Sequence, residues 1–302
     1  MEGTCASRQK RDVIKQRLPE LKEILRCCRL CPRECGINRL IGETGFCATP
    51  NAVRIASWHP HFGEEDVLVG TGGSGTIFFA HCNLGCIFCQ NYSISHNGLG
   101  MEMTVDKLAE VMLSLQKNGC SNINLVTPTH VVPAIVEALS IALEQGLTVP
   151  VVYNCGGYES PSVLALLEGV VDIYMPDIKF SKDFLSIEYA GISDYWEQAK
   201  RSVEEMYRQV GGLVVNSDGV AVKGLLVRHL VLPNCPENTR QVLQFIAQEI
   251  STNTYINIMD QYRPCYRAHS IPLLARQITP EEFAQALSWA REYGLTRGGH
   301  EQ

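Results

Sequence analysis

Short apolar runs alternate along most of the chain with stretches that carry apolar residues at helical spacing. The runs at 75–80, 123–128, 149–154, 172–179, 225–233 and 254–262 are rich in valine and isoleucine and read as strands. The stretches at 104–118, 131–145, 161–168, 193–209, 238–250 and 280–293 read as helices. Two open with cap signals: Thr104 before Val105-Asp106, and Thr279 before Pro280-Glu281-Glu282. Strand–helix alternation with strands apolar on both faces predicts a parallel sheet covered by helices, an α/β fold. Six such units fall short of the eight of a closed barrel.

The first quarter of the chain has a different rhythm. Residues 8–26 place Val13, Ile14, Leu18, Leu21, Ile24 and Leu25 near one helical face, which predicts a surface helix with Pro19 as a break or first-turn residue. Residues 51–70 read as two short strands around a His-Pro-His-Phe-Gly turn, where His59, His61, Glu64 and Glu65 either decorate the turn or line a nearby site. The glycine-rich Thr71–Gly75 lacks the phosphate-loop pattern and precedes a strand, so it reads as a flexible lead-in. The predicted division is 1–73, an N-terminal helix with a cysteine-rich segment, and 74–302, the main α/β unit with a C-terminal helix.

Composition narrows the class. At 302 residues with 45% hydrophobic and 19% charged residues, the chain can bury a barrel-sized core. A formal charge of −6 argues against a sequence-independent nucleic-acid binder, and no apolar stretch reaches membrane-span length. The first residues are charged without the apolar centre of a secretory signal, and no apolar run precedes Cys5 as a lipid-attachment site would need. Thirteen cysteines, an odd number with seven at metal-ligand spacings, fit a reducing cytoplasm better than a disulfide framework.

Those seven carry the candidate chemistry. Cys82, Cys86 and Cys89 stand at C-x3-C-x2-C spacing just after the first apolar run, so one short loop aims three thiols at a point. Thiolates are the ligands of iron–sulfur clusters; a four-iron cluster wants four, and three leave one iron open. Zinc loops are usually built from C-x2-C pairs, which this triplet is not. Upstream, Cys28, Cys31, Cys35 and Cys47 form C-x2-C-x3-C-x11-C on glycine-containing loops, with Cys27 as a potential substitute. Four thiolates suit a second metal site, either zinc or an iron–sulfur cluster, and would staple a segment too short for its own core.

The triplet, with Phe88 just before its last cysteine, resembles the signature of the radical S-adenosylmethionine (SAM) superfamily. Together with the C-x2-C-P-x2-C…G-x2-G-x-C segment and the Gly-Ser-Gly-Thr-Ile-Phe-Phe run, it is most similar to the uncharacterised, pyruvate formate-lyase-activating-enzyme-like branch. The resemblance implies a partial (β/α)6 TIM-type barrel, with which the count of six units agrees; a doubly wound open sheet is the runner-up. It implies that Cys82, Cys86 and Cys89 hold a [4Fe-4S] cluster whose open iron chelates SAM. Reduction by an external donor such as flavodoxin or ferredoxin would cleave SAM to a 5′-deoxyadenosyl radical. That radical would take hydrogen from a substrate, a glycyl radical enzyme being one candidate, which makes the chain an activase-like oxidoreductase. Phe88 would sit over the adenine. Asn154 in Tyr153-Asn154-Cys155-Gly156-Gly157-Tyr158 would contact the ribose, and Asp177-Ile178-Lys179 resembles the D-x-K of the activases. Arg228 can bind the SAM carboxylate through its fork. The Gly-Gly-Glu that often binds the SAM amino group is missing, and Thr127, Thr129 or backbone carbonyls could accept that bond instead. His130 reads either as a ligand-side residue or as a solvent-facing helix start, and His229 as outward-facing and structural. Activases with extra clusters carry an eight-cysteine insert after the triplet, whereas here four cysteines precede it. A non-catalytic iron–sulfur electron carrier is the alternative, but it leaves Asp177, Lys179 and Arg228 without a role.

Overall fold

All six predicted barrel strands form, and they lie parallel. The computed structural model describes residues 5–298, so the readings on residues 1–4 and 299–302 lie outside the described residues. The strands are β1 (Val53–His61), β2 (Ser74–Phe79), β3 (Met101–Met103), β4 (Ile123–Val126), β5 (Val151–Cys155), β6 (Ile173–Pro176), β7 (Val214–Val215), β8 (Ala221–Leu230) and β9 (Tyr255–Met259). The helices are α1 (Cys5–Glu23), α2 (Asp66–Val69), α3 (Tyr92–Ser95), α4 (Val105–Lys117), α5 (Val132–Glu144), α6 (Pro161–Leu166), α7 (Asp183–Ala190), α8 (Tyr195–Val210), α9 (Pro236–Phe245) and α10 (Pro280–Glu292). The sheet runs β3-β1-β2-β4-β5-β6-β8-β7, with β9 also on β8. Within it β2, β4, β5, β6, β8 and β9 are parallel neighbours, while β1, β3 and β7 pair antiparallel at the margins. The architecture is a partial TIM-type α/β barrel.

Both predicted caps hold. Thr104 accepts from the Lys107 amide, and Thr279 and Glu282 form a reciprocal capping box. The barrel has two apolar layers, as alternation along buried strands requires. Outward residues of the strands pack under the helices in one large cluster that includes Ile77, Leu125, Tyr153, Tyr174 and Val227. Inward residues Val152, Ile173, Met175 and Leu226 close the base of the barrel against Leu68 of α2. That short helix is stapled in place: Asn122 Nδ2 donates to the Leu68 carbonyl (2.7 Å) and Ser121 Oγ to that of Val69 (3.1 Å).

Several local expectations change. Residues 51–70 form one strand and the helix α2, not two strands about a turn. Pro60 fits there because β3 covers only Val53–Ile55, leaving the far end of β1 as an open edge. The lead-in is close-packed from Gly72 on, not loose: a Cβ on Gly72 would collide with the Gly119 carbonyl oxygen, and Ser74 is fully buried. Pro19 lies inside α1 without ending it, and costs only the helical partner of the Lys15 carbonyl. The N-terminal segment, as its shortness implies, has no separate core. Ile14, Leu21, Leu25 and Leu30 join the main cluster, and β1 pairs with β2 across residues 73/74. Lys10 reaches Asp172 (2.6 Å) and Lys22 reaches Glu137 (2.7 Å), fixing α1 against the barrel.

Leu21 is fully buried on that seam. Leu21→Ala is expected to lower unfolding free energy by about 2–5 kcal/mol, read from chemical denaturation. A change below about 0.5 kcal/mol would mean that α1 is peripheral to the fold.

Candidate active site

The triplet loop leaves the carboxyl end of β2, where parallel α/β folds place their sites. His81 (φ 70°) turns the chain out of the strand and Gly85 (φ 72°) folds the loop between Cys82 and Cys86. A side chain at Gly85 would meet the Phe46 ring at 2.8 Å, so glycine is required twice over there. The loop is fastened by backbone bonds from Ile87 to the Tyr189 carbonyl and from Arg267 to the Ile87 carbonyl, both 2.9 Å. The three sulfurs lie near enough to disturb one another's ionisation. Burial pushes the Cys82 thiol up to about 11 and Cys86 higher still, while the Lys179 ammonium opposes both shifts. The Leu84 amide donates to Cys82 Sγ (3.3 Å), the kind of contact that tunes cluster thiolates. Among the described residues no three ligating side chains converge tightly enough for a single metal ion. The donor set itself, three thiols with an amide and a cation turned toward them, fits an iron–sulfur cluster.

Four of the sequence-chosen residues are brought together beside this loop. Arg228 Nη2 donates to Asn154 Oδ1 (2.8 Å) and Lys179 Nζ to Asp177 Oδ2 (2.6 Å), while Asp177 and Arg228 form a parallel bridge. Burial alone would raise Asp177, but Lys179 and Arg228 outweigh it and hold the carboxyl below its usual range. Burial likewise works against the Lys179 ammonium, and Asp177 reverses the shift. Tyr195 fixes the backbone here, donating to the Gly156 carbonyl (2.8 Å) and accepting from the Lys179 amide (2.9 Å). Thr127 stands next to this group with φ 60°, its amide bonded to the Asn154 carbonyl (2.8 Å). Such a backbone is uncommon for a branched residue. Phe88 packs edge-on between Phe180 (5.9 Å) and Tyr262 (6.1 Å) within the loop's own apolar cluster.

The histidines divide. His229 faces outward as expected, bonding the Ile178 carbonyl (2.7 Å) and Thr239 Oγ1 (2.9 Å). His130 is not at the surface: it is buried against the Ala80 carbonyl (2.8 Å), and burial pushes its pKa down to about 3. Glu64 and Glu65 do more than decorate a turn, since Glu64 pairs with Arg228 (3.3 Å) and Glu65 accepts from Asn257 (2.9 Å).

The upstream cysteines also meet. Cys28, Cys31, Cys35 and Cys47 line one small cavity with Arg33, Arg39 and Phe46, whereas Cys27 is exposed and outside it. Burial raises the Cys31 thiol to about 12. Gly45 is needed here, because a Cβ would meet Cys35 Sγ at 2.7 Å. Between Cys31 and Cys35, Arg33 reaches across to the triplet loop. Its Nε donates to the Asn83 carbonyl (2.6 Å), and Nη2 to those of Leu84 (2.9 Å) and Ala190 (3.1 Å). The guanidinium stacks on Phe46, 3.3 Å from the ring centre.

Sequence reasoning passed over Arg33, Asn124 and Glu159. Only Arg33 had a signal, its place inside a cysteine motif. Glu159 is buried, accepting from Thr129 Oγ1 (2.7 Å) and Tyr153 Oη (2.9 Å). Burial raises it to about 7 despite those two bonds, which act in the opposite sense.

A partial parallel barrel with a three-thiol loop after its first strand defines a class of iron–sulfur proteins, and comparison gives it a family. Residues 76–221 match the Radical SAM superfamily. The chain is 32% identical over 285 residues to the uncharacterized protein MJ0674 of Methanocaldococcus jannaschii, covering 91% of this chain and 77% of that protein. It is 24% identical over 265 residues to MJ0808 of the same organism, covering 81% and 73%. The chain belongs to the radical SAM superfamily.

Arg33→Ala is expected to leave the barrel folded but to loosen the triplet loop, lowering iron retained after desalting. Arg33→Lys should restore little, because lysine lacks the fork. Iron content equal to wild type in both variants would remove Arg33 from loop positioning. For Glu159, a folded pKa above the unfolded one means a contribution present below about pH 4.5 and lost as pH rises through about 7. Glu159→Gln should therefore flatten the fall in melting temperature between about pH 4.5 and 7; an unchanged slope there would refute the assignment.

Proposed function

We propose that this radical SAM enzyme uses Cys82, Cys86 and Cys89 to hold its [4Fe-4S] cluster, and the polar group at the strand ends to orient SAM. When bound, cluster and SAM supply reductive cleavage of the C5′–S bond and a 5′-deoxyadenosyl radical. The observation that carries the reading is the convergence of Asn154, Asp177, Lys179 and Arg228 beside the triplet loop. Lys179 offsets thiolate charge near Cys86 and is itself neutralised by Asp177. Arg228, engaged with Glu64 and Asn154 but with Nε unpartnered, is the group in this reading that turns to the SAM carboxylate, and Asn154 the one that meets a ribose hydroxyl. Phe88 and its aromatic neighbours shield the loop from water. An external one-electron donor, flavodoxin or ferredoxin, completes the reaction. Cys28, Cys31, Cys35 and Cys47 hold a second metal in this reading, zinc or a cluster.

The buried, charged barrel interior favours a small polar substrate. The Asp177–Lys179 pair (2.6 Å) supports a second reading, activation of a glycyl radical enzyme, by its likeness to the activases.

Because burial keeps the Cys82 and Cys86 thiols protonated near neutrality, both must lose a proton to ligate. Cys86→Ala should lose most bound iron and all 5′-deoxyadenosine release from SAM by anaerobically reconstituted, reduced protein. Full release by that variant would end the assignment.

A further inference from the structure

Against the group assigned to SAM, the barrel interior also carries Glu64, Glu65, Asn124 and Asn257, which the SAM reading does not use. In-register pairing puts Asn124 of β4 abreast of Val152 on β5, whose side chain faces inward, and Arg228 of β8 abreast of Asn257 on β9. From the α2 end, Glu64 and Glu65 rise into the same space. Counted with the Asp177–Lys179 pair, the interior holds three carboxylates, Glu64, Glu65 and Asp177, against two fixed cations, Arg228 and Lys179.

The hydrogen bonding is incomplete in the same place. Glu65 spends Oε1 on Asn257, but its buried Oε2 has no partner. Asn124 is fully buried with its amide turned toward Glu64, and its amide oxygen has no partner. Arg228 Nε is likewise unmatched. Buried polar groups in native proteins are almost always satisfied, and clusters that are not tend to face a ligand. One layer further along the strands, the half-buried Phe78 and Val126 lie abreast with Asn154 and offer apolar surface.

We propose that this interior binds the substrate, and that the substrate is a small organic monocation: an amine whose ammonium meets Glu65 Oε2 and Asn124 Oδ1 and whose short alkyl body lies against Phe78 and Val126. The assignment rests on the radical SAM reading for its role as substrate, but not for binding itself. An ammonium supplies the donors that Glu65 and Asn124 lack and cancels the single excess negative charge. A carboxylate in its place would add like charge beside Glu64 and Glu65, and a neutral alcohol would leave the excess unmatched.

The test uses the full chain, reconstituted anaerobically, and three four-carbon probes: n-butylamine, 1-butanol and butyrate. Binding is read by saturation-transfer NMR. Butylamine should bind and the other two should not, and Glu65→Gln should weaken butylamine by about 10-fold or more. Should Glu65→Gln fail to fold, Asn124→Leu serves, with the same expected loss. Equal binding of all three probes, preference for butyrate, no binding of butylamine, or unchanged binding in folded variants would overturn the proposal. SAM binding is measured on the same samples. Amine selectivity without SAM binding would keep the site and remove the radical reading; SAM binding without amine selectivity would do the reverse.

Discussion

The Arg33 fork holds the loop on which the rest of the site depends. A loop carrying three thiols cannot also belong to the sheet, so its carbonyls have no ladder partners. Asn83 and Leu84 are nevertheless buried, and a buried carbonyl without a donor is costly. Arg33 answers three carbonyls at once with a charged, planar group, and Phe46 holds that group from behind. Asn83 is further tied to the Tyr158 carbonyl (2.8 Å), so the turn between Cys82 and Cys86 is gripped from both sides. The upstream cysteine segment thus acts as the wall against which the triplet loop is set.

The charged group inside the barrel follows from register in the same way. A one-residue slip between strands would exchange every inward and outward side chain. The pairing of Arg228 with Asn257 and its bridge to Asp177 fix three polar side chains on the inner face. Each would be costly alone in a buried space, and here each carries an opposite charge or a hydrogen bond. The helix α2, pinned by Asn122 and Ser121, seals the bottom and brings Glu64 and Glu65 with it. Most of the polarity is therefore held by elements that do not move independently.

The barrel strands and their helices were legible because valine- and isoleucine-rich runs alternate with 3.6-residue periodicity, and both patterns are local. The triplet was legible because ligand spacing is also local. Asp177, Lys179 and Arg228 stood out as charges interrupting apolar runs. Asn124 interrupts one too, between Ile123 and Leu125, but its meaning depends on Glu64, sixty residues away in sequence and brought near only by α2. The 51–70 region misled because a His-Pro-His-Phe-Gly stretch has turn chemistry, while pairing to β2 and β3 overrides it. Glu159 left no trace in the pattern. Its burial comes from Thr129 and Tyr153 on two different segments, and nothing in its own neighbourhood announces that.

Strand β5 shows how one local rule separates two chemistries. Side chains alternate along it, so Asn154 faces the interior and Arg228, while Tyr153 and Cys155 face the other way. On that outer side Tyr153 meets Glu159, whose carboxyl lies near enough to the Cys31 thiol to help raise it. Three consecutive residues therefore connect the barrel interior to the upstream cysteine cavity without sharing a single polar contact between them. Charge introduced at the cysteine cavity meets Glu159, close to neutral in its buried site, before it meets the interior pairs. The two sites are held in one frame by Arg33, and β5 links them electrostatically as well, since Cys155 beside Glu159 also feels Asp177 and Arg228 across the strand.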